Sequence, residues 1–142
     1  MEKIFAKPFI QALNDHFDGI TVMSKNRSNL VDMISGSADG EIIVWNLPER
    51  KSLFTINAHQ NFVRGLSYAN NRALSADSIF VSSGDDKKIN IWSVNSIKAE
   101  FEKNPKGFKG YLPKASFLSK HMLHNIDHSY SDNIFASSGS VV

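Results

Sequence analysis

The chain has 142 residues, 42% hydrophobic and 11% aromatic, with 16 Lys+Arg against 14 Asp+Glu, a net charge of +2 and no cysteine. That much apolar material builds a core, which excludes disordered and fibrous classes, and the charge is too small to demand a nucleic-acid partner. Without cysteine there is no disulfide framework, thiolate nucleophile or Cys-based zinc site, which fits a reducing compartment.

In chain order, the opening Met1–Ile10 is an apolar cluster broken by Lys3, Lys7 and Pro8, unlike the continuous apolar region of a secretory leader. No window reaches the ~18 apolar residues of a membrane span, so no membrane partner is expected. Residues 34–46 and 81–93 then repeat one another. Identities fall at Ser35/Ser82, Asp39/Asp86, Ile42/Ile89 and Trp45/Trp92. Ile42, Val44 and Ile89, Ile91 alternate as on one face of a strand, and Ala38-Asp39-Gly40 and Asp85-Asp86-Lys87 are hairpin turns, the Asp-Gly pair being the stronger signal. Short apolar segments precede each hairpin (Ile20 to Met23, Phe62 to Tyr68), and Ser52 to Ile56 follows the first. Four strands per unit are therefore predicted over 16–57 and over 59–101. The polar stretch Ala69 to Asp77 reads as a loop, and Lys103 to Ala115, with two prolines and two glycines, as an irregular connection. Ile134 to Gly139 resembles Ile79 to Gly84 and marks a degraded third unit in which Leu123 and Ile126 answer Val63 and Leu66, with Ser119 at the histidine position.

His16 and His59 lie 43 residues apart. This period, with a His near the start, an Asp at the hairpin turn and a Trp six residues later, resembles the WD40 repeat. The expected fold is all-β: about two and a half four-stranded antiparallel blades of an incomplete propeller that normally has about seven. The units are a lead-in 1–15, repeat one 16–58, repeat two 59–102, a connection 103–116 and a partial, divergent repeat 117–142. The resemblance implies buried hydrogen-bonded tetrads of His16, Ser35, Asp39 and Trp45, and of His59, Ser82, Asp86 and Trp92. A serine hydrolase instead needs one exposed, activated Ser and an oxyanion hole, so repetition in two units favours the structural role. No enzyme, cofactor, metal or small-molecule substrate is expected. His121, His124 and His128 have metal-like spacing only on a helix, and the repeat places them on a strand. The lysines and aromatics from Phe101 to Lys120 read as a solvated linker whose rings pack on the blades, in preference to an RNA contact. Propellers gather their loops at two faces, so candidate contacts are the entrance-loop residues Phe17, Asp18, Gln60, Asn61 and Arg64 and the hairpin turns.

Phe5-Ala6-Lys7-Pro8-Phe9 before the first unit, with Gly36 to Gly40, Ala58-His59 and Phe135 to Gly139, resembles the nucleolar SOF family of WD-repeat proteins. These are components of the small-subunit processome, also described as cullin-four-associated factors. The resemblance implies non-catalytic scaffolding in pre-rRNA processing and 18S rRNA maturation, with processome proteins and the U3 snoRNA particle as partners, in the nucleus and nucleolus. A substrate receptor of a cullin-four ubiquitin ligase is the alternative, as is a truncated, non-functional fragment. Asp15 stands where a Gly often precedes the His. Trp45-Asn46 and Trp92-Ser93 replace Trp-Asp, and Arg50 lies five residues after Trp45, a departure from the cullin-adaptor docking motif. Two or three blades cannot close a ring, so a fragment that associates with copies of itself or with a partner is expected.

Overall fold

The computed structural model describes residues 11–69, 78–105, 110–129 and 134–140. The Phe-Ala-Lys-Pro-Phe segment, nearly all of the expected 69–77 loop, and Val141-Val142 lie outside them. The first sheet holds β1 (Ile20–Lys25), β2 (Asp32–Ser37), β3 (Glu41–Asn46) and β4 (Lys51–Asn57) in that spatial order, all antiparallel. The second holds β5 (Val63–Tyr68), β6 (Ile79–Gly84), β7 (Lys88–Ser93) and β8 (Ala115–Leu118). The third is a hairpin of β9 (Met122–His128) and β10 (Phe135–Ser140). These are two blades and the start of a third. Among the described residues no helix is long and apolar enough to cross a membrane.

Blade packing follows from strand alternation. Ile34, Ile42, Val44, Phe54 and Ile56 of the first sheet meet Val63, Leu66, Tyr68, Phe80 and Trp92 of the second in one buried cluster. Val81 and Ile89, on the opposite face of the second sheet, meet Leu123 and Ile126 of the third. The second sheet is thus apolar on both faces, as a blade between blades must be. The inner strands β1, β5 and β9 lie side by side, with glycines at the crossings. A Cβ at Gly36 would come within 2.7 Å of Val63 Cγ1, and one at Gly65 within 2.7 Å of the Ile126 amide nitrogen.

The same irregularity recurs in all three units. The register between the first two strands slips at Thr21 in β1, at Arg64 in β5 and at His124 in β9. Bulges free a side chain from the ladder and re-aim it. Thr21 Oγ1 uses this freedom to donate across the blade junction to the Val63 carbonyl at 2.6 Å. The two hairpin turns also correspond, with Gly40 at φ 88° and Lys87 at φ 62° in equivalent positions. Glycine occupies that region freely, whereas lysine is strained there.

One expected element is replaced. Residues 94–101 do not supply the fourth strand of the second blade: Val94–Lys103 form a helix, α1. Val94, Ile97 and Phe101 recur at helical spacing rather than at every second residue, and the Ser93 side chain caps the N-terminus by accepting from the Ser96 amide at 3.3 Å. Val94 and Ile97 are buried, and Phe101 stands edge-on to Phe54 of β4, ring centres 5.2 Å apart. The fourth strand is β8, which straddles the expected connection (103–116) and the expected third unit (117–142). Phe117 therefore pairs with Ile89 in the second blade. Of the linker aromatics, Phe101 packs on the first blade and Tyr111 is 4% exposed within the core, while Phe117 is half-exposed. Lys106, Phe108 and Lys109 lie outside the described residues.

Candidate interaction surface

The second unit builds the complete hydrogen-bonded relay. His59 enters from the loop after β4, Ser82 from β6, Asp86 from the β6–β7 turn and Trp92 from β7. Trp92 Nε1 donates to Ser82 Oγ at 2.9 Å, Ser82 Oγ lies 2.8 Å from His59 Nε2, and His59 Nδ1 lies 2.9 Å from Asp86 Oδ1. With Nδ1–H donating to the carboxylate, Nε2 accepts from the Ser82 hydroxyl, so both nitrogens of the His59 ring are used. Burial pulls the His59 pKa down, against the pull of Asp86, so the neutral ring that this pattern requires is favoured. The order Asp, His, Ser is that of a hydrolase triad, but Ser82 is fully buried and its oxygen is engaged by the indole. A nucleophile must reach its substrate, and this one cannot.

The first unit keeps only part of the pattern. Trp45 Nε1 donates to Ser35 Oγ at 2.7 Å, and His16 Nε2 lies 2.6 Å from the same oxygen. Asp39 does not join them. Its Oδ1 accepts from the Ser37 hydroxyl and from the Glu41 amide, leaving the buried His16 Nδ1 without a hydrogen bond among the described residues and 3.9 Å from Glu41 Oε2. Ser35 is 1% exposed. The expected first tetrad is therefore a triad, and the cause is one position. Ser37 corresponds to Gly84, where an added Cβ would stand 2.6 Å from His59 Cγ and 2.7 Å from its Nδ1. In the second blade the glycine lets the ring reach Asp86; in the first, Ser37 fills that space and takes the aspartate for itself. Burial pulls the His16 pKa down more than Glu41, Asp39 and Asp15 raise it. Burial pushes the Asp39 carboxyl up, but the Ser37 hydroxyl, the Glu41 amide, its own amide and His16 together outweigh it and hold it below the usual carboxylate value.

The entrance loops and hairpin turns share one end of the blades. Gly40 O accepts from the Ala58 and His59 amides at 3.2 and 3.1 Å, Asp85 N donates to Phe62 O at 3.0 Å, and Ala38 N donates to Gly19 O at 3.0 Å. Gly40 is required there, since a Cβ would fall 2.0 Å from the His59 carbonyl oxygen. On this braced rim Phe17 is 99% exposed, and Asp18, Gln60 and Asn61 are also exposed. Phe17 and Asp18 occupy the positions after His16 that Gln60 and Asn61 occupy after His59, so the two blades present matching sites. Arg64, expected on the loop, lies inside β5 at the bulge. Its Nε and Nη2 donate to Asp85 Oδ1 and Oδ2 at 2.7 and 2.9 Å, and its guanidinium sits 4.9 Å from the Phe62 ring centre. The bidentate bond raises the Arg64 pKa and lowers that of Asp85. The sequence marks Asp85 as part of the Asp85-Asp86-Lys87 hairpin turn; its pairing with Arg64 is what the structure adds.

The three C-terminal histidines do not converge. His124 Nε2 lies 2.9 Å from Ser140 Oγ, His128 Nδ1 donates to the Ser129 carbonyl at 3.0 Å, and His121 precedes β9. Among the described residues no group of three His, Cys, Asp or Glu side chains is placed to hold a metal ion.

The chain matches the family model WD40, "WD domain, G-beta repeat", over residues 7–46 and 50–93. It is 34% identical over all 142 residues to a protein named DDB1- and CUL4-associated factor 13 in Mus musculus and 37% identical to its Xenopus tropicalis counterpart, covering 29% of each. The protein of that name in Dictyostelium discoideum is 36% identical over 139 residues, 98% of this chain and 28% of its own length. The chain thus spans under a third of the relatives it matches. Among solved structures it resembles the β-propeller domain of Cps50 (Swd1) from Myceliophteria thermophila, with a TM-score of 0.63 and 14% identity over 88% of this chain and 34% of that one. That likeness concerns the fold.

Proposed function

We propose, on the premise that this chain belongs to the WD40 family of WD domain, G-beta repeat proteins, that it acts as a non-catalytic protein-interaction scaffold in ribosome biogenesis. One observation carries the scaffold reading: both Ser–His constellations are consumed inside the blades, while the loops that follow His16 and His59 stand exposed on a hydrogen-bonded rim. Such a surface binds through loops held by a rigid frame, and neither Ser35 nor Ser82 is offered to a substrate. The biological setting follows the SOF-family resemblance of the sequence: pre-rRNA processing and 18S rRNA maturation in the small-subunit processome, beside the U3 snoRNA particle, in the nucleolus. The relatives' name favours a second reading, in which the chain is part of a receptor that joins DDB1 and CUL4.

Affinity purification of the tagged chain, followed by RNA sequencing and mass spectrometry, separates the two. Co-recovery of pre-rRNA with processome proteins supports the first reading, and recovery of DDB1 and CUL4 without pre-rRNA supports the second. The paired change Gln60→Ala and Asn61→Ala is expected to reduce capture at least several-fold with an unchanged circular dichroism spectrum. Undiminished capture removes the entrance-loop assignment.

A further inference from the structure

The C-terminal ends of β1, β5 and β9 converge at the end of the blades opposite the loop rim and enclose a cavity of about 210 Å³. Its lining includes Ser24, Lys25, Arg27, Tyr68, Asp127 and His128, so the cavity draws polar groups from all three blades. Lys25 and Arg27 are exposed and make no ion pair among the described residues. Ser24 Oγ accepts from the Tyr68 amide at 3.3 Å, which leaves its own O–H to donate. His128 commits Nδ1–H to the Ser129 carbonyl, so in that tautomer Nε2 is an acceptor and adds no donor to the cavity. Asp127 is the one carboxylate among the described residues of the lining, and its Oδ1 already accepts from the His128 amide at 2.9 Å. Among the described residues, two cations and a hydroxyl donor against one engaged carboxylate give this concave site a balance that favours a compact oxyanion. A guanidinium fork and an ammonium together match the oxygens of a phosphate group.

We propose that this cavity binds a phosphomonoester, whether on a phosphorylated peptide or on a small molecule. A nucleic-acid strand fits it less well. Among the described residues of the lining the one aromatic ring, Tyr68, is 7% exposed and packs edge-on against Phe80, so it offers no open face on which a base can stack. The inference is independent of the ribosome-assembly reading.

The test is heteronuclear NMR titration of the full chain with inorganic phosphate, a phosphoserine tripeptide, its unphosphorylated form and a single-stranded oligouridine. Phosphate-bearing probes are expected to shift the amides of residues 24–27 and 127–128, and the unphosphorylated peptide is not. Equal affinity for inorganic phosphate and the phosphopeptide identifies a small phosphorylated ligand; tighter binding of the phosphopeptide identifies a modified protein. Either result supports the site. The double change Lys25→Gln and Arg27→Gln, both at exposed positions, is expected to weaken binding about tenfold or more with no change in thermal midpoint. Lys98→Gln on the exposed face of α1 is the control and should change nothing. The proposal is overturned if no phosphate-dependent shift appears, if the double variant binds as the parent does, or if oligouridine binds more tightly through the same residues.

Discussion

Replacing Gly84 by serine transplants the arrangement of the first blade into the second, and its cost can be worked out from the structure. A Cβ at this position would meet His59 Cγ at 2.6 Å, His59 Nδ1 at 2.7 Å and Asp86 Oδ1 at 3.0 Å. His59 is 7% exposed and bonded at both nitrogens, so it cannot yield without releasing a partner. Overpacking of a filled site costs about 1–3 kcal/mol. Loss of the charge-assisted His59–Asp86 bond adds about 1.5–3 kcal/mol, and a new bond from the introduced hydroxyl to Asp86, of the Ser37–Asp39 type, returns about 1 kcal/mol. The net expectation for Gly84→Ser is a destabilisation of about 1.5–5 kcal/mol, equivalent to roughly 5–20 °C in thermal midpoint for a chain of this size. Urea unfolding followed by far-ultraviolet circular dichroism measures it. The reciprocal Ser37→Gly should let His16 Nδ1 reach Asp39, with an upward shift in the His16 pKa and slower exchange of its ring N–H in NMR titration. A Gly84→Ser variant within about 0.5 kcal/mol of the parent would refute the argument that this one position decides whether the tetrad closes.

Three other outcomes are expected. Lys87→Gly relieves a left-handed lysine at φ 62°, so after the extra unfolded-state entropy of glycine it should stabilise by about 0.5 kcal/mol in urea unfolding; a loss of stability contradicts the strain argument. Phe101→Ala should cost about 2 kcal/mol, because it removes the half-buried ring that holds α1 against Phe54, and a cost near zero would mean that the helix contributes nothing to the blade junction. Burial holds the His16 and His59 pKa values below their ordinary 6.5. As pH falls below 6.5 the unfolded chain takes up these protons first, so stability is complete above that pH and declines beneath it, with a slope of at most about 1.4 kcal/mol per pH unit for His59. Urea midpoints that stay level or rise from pH 7.5 down to 5 would be incompatible with buried neutral rings.

The features written into local sequence were the readable ones. Paired hairpins, the Asp-Gly turn and the recurrence of His, Ser, Asp and Trp are short-range patterns, and the strands they predict in the first unit are the strands that form. The second unit misled because its fourth strand follows an insertion. Val94, Ile97 and Phe101 have helical spacing, but within a four-strand template the stretch looks like an irregular strand. Ser116 then bonds Asn90 Oδ1 at 2.7 Å from a position that sequence order gives to a linker. Asp39 shows a different limit. Its identity matches Asp86, and what separates their roles is the absence of a side chain at Gly84, which only the packed ring of His59 makes meaningful. The cavity at the ends of β1, β5 and β9 was invisible for a related reason: Lys25 and Arg27 lie about a hundred residues from His128 in the chain, and no motif links them.

Helix α1 changes how these repeats behave as a folding unit. A repeat array is ordinarily close to one-dimensional, each unit touching its neighbours through one interface and opening independently at its ends. Here the chain leaves the second blade after β7, lays Phe101 against β4 of the first, and only then returns to supply β8. The outer strand of one repeat thus arrives after the chain has docked on its predecessor. The first two blades should therefore open together as a single foldon, with amide hydrogens in β3, β4 and β7 exchanging at a common, slow rate. The β9–β10 hairpin is tied in by the smaller cluster around Val81 and Ile126, and its amides should exchange first.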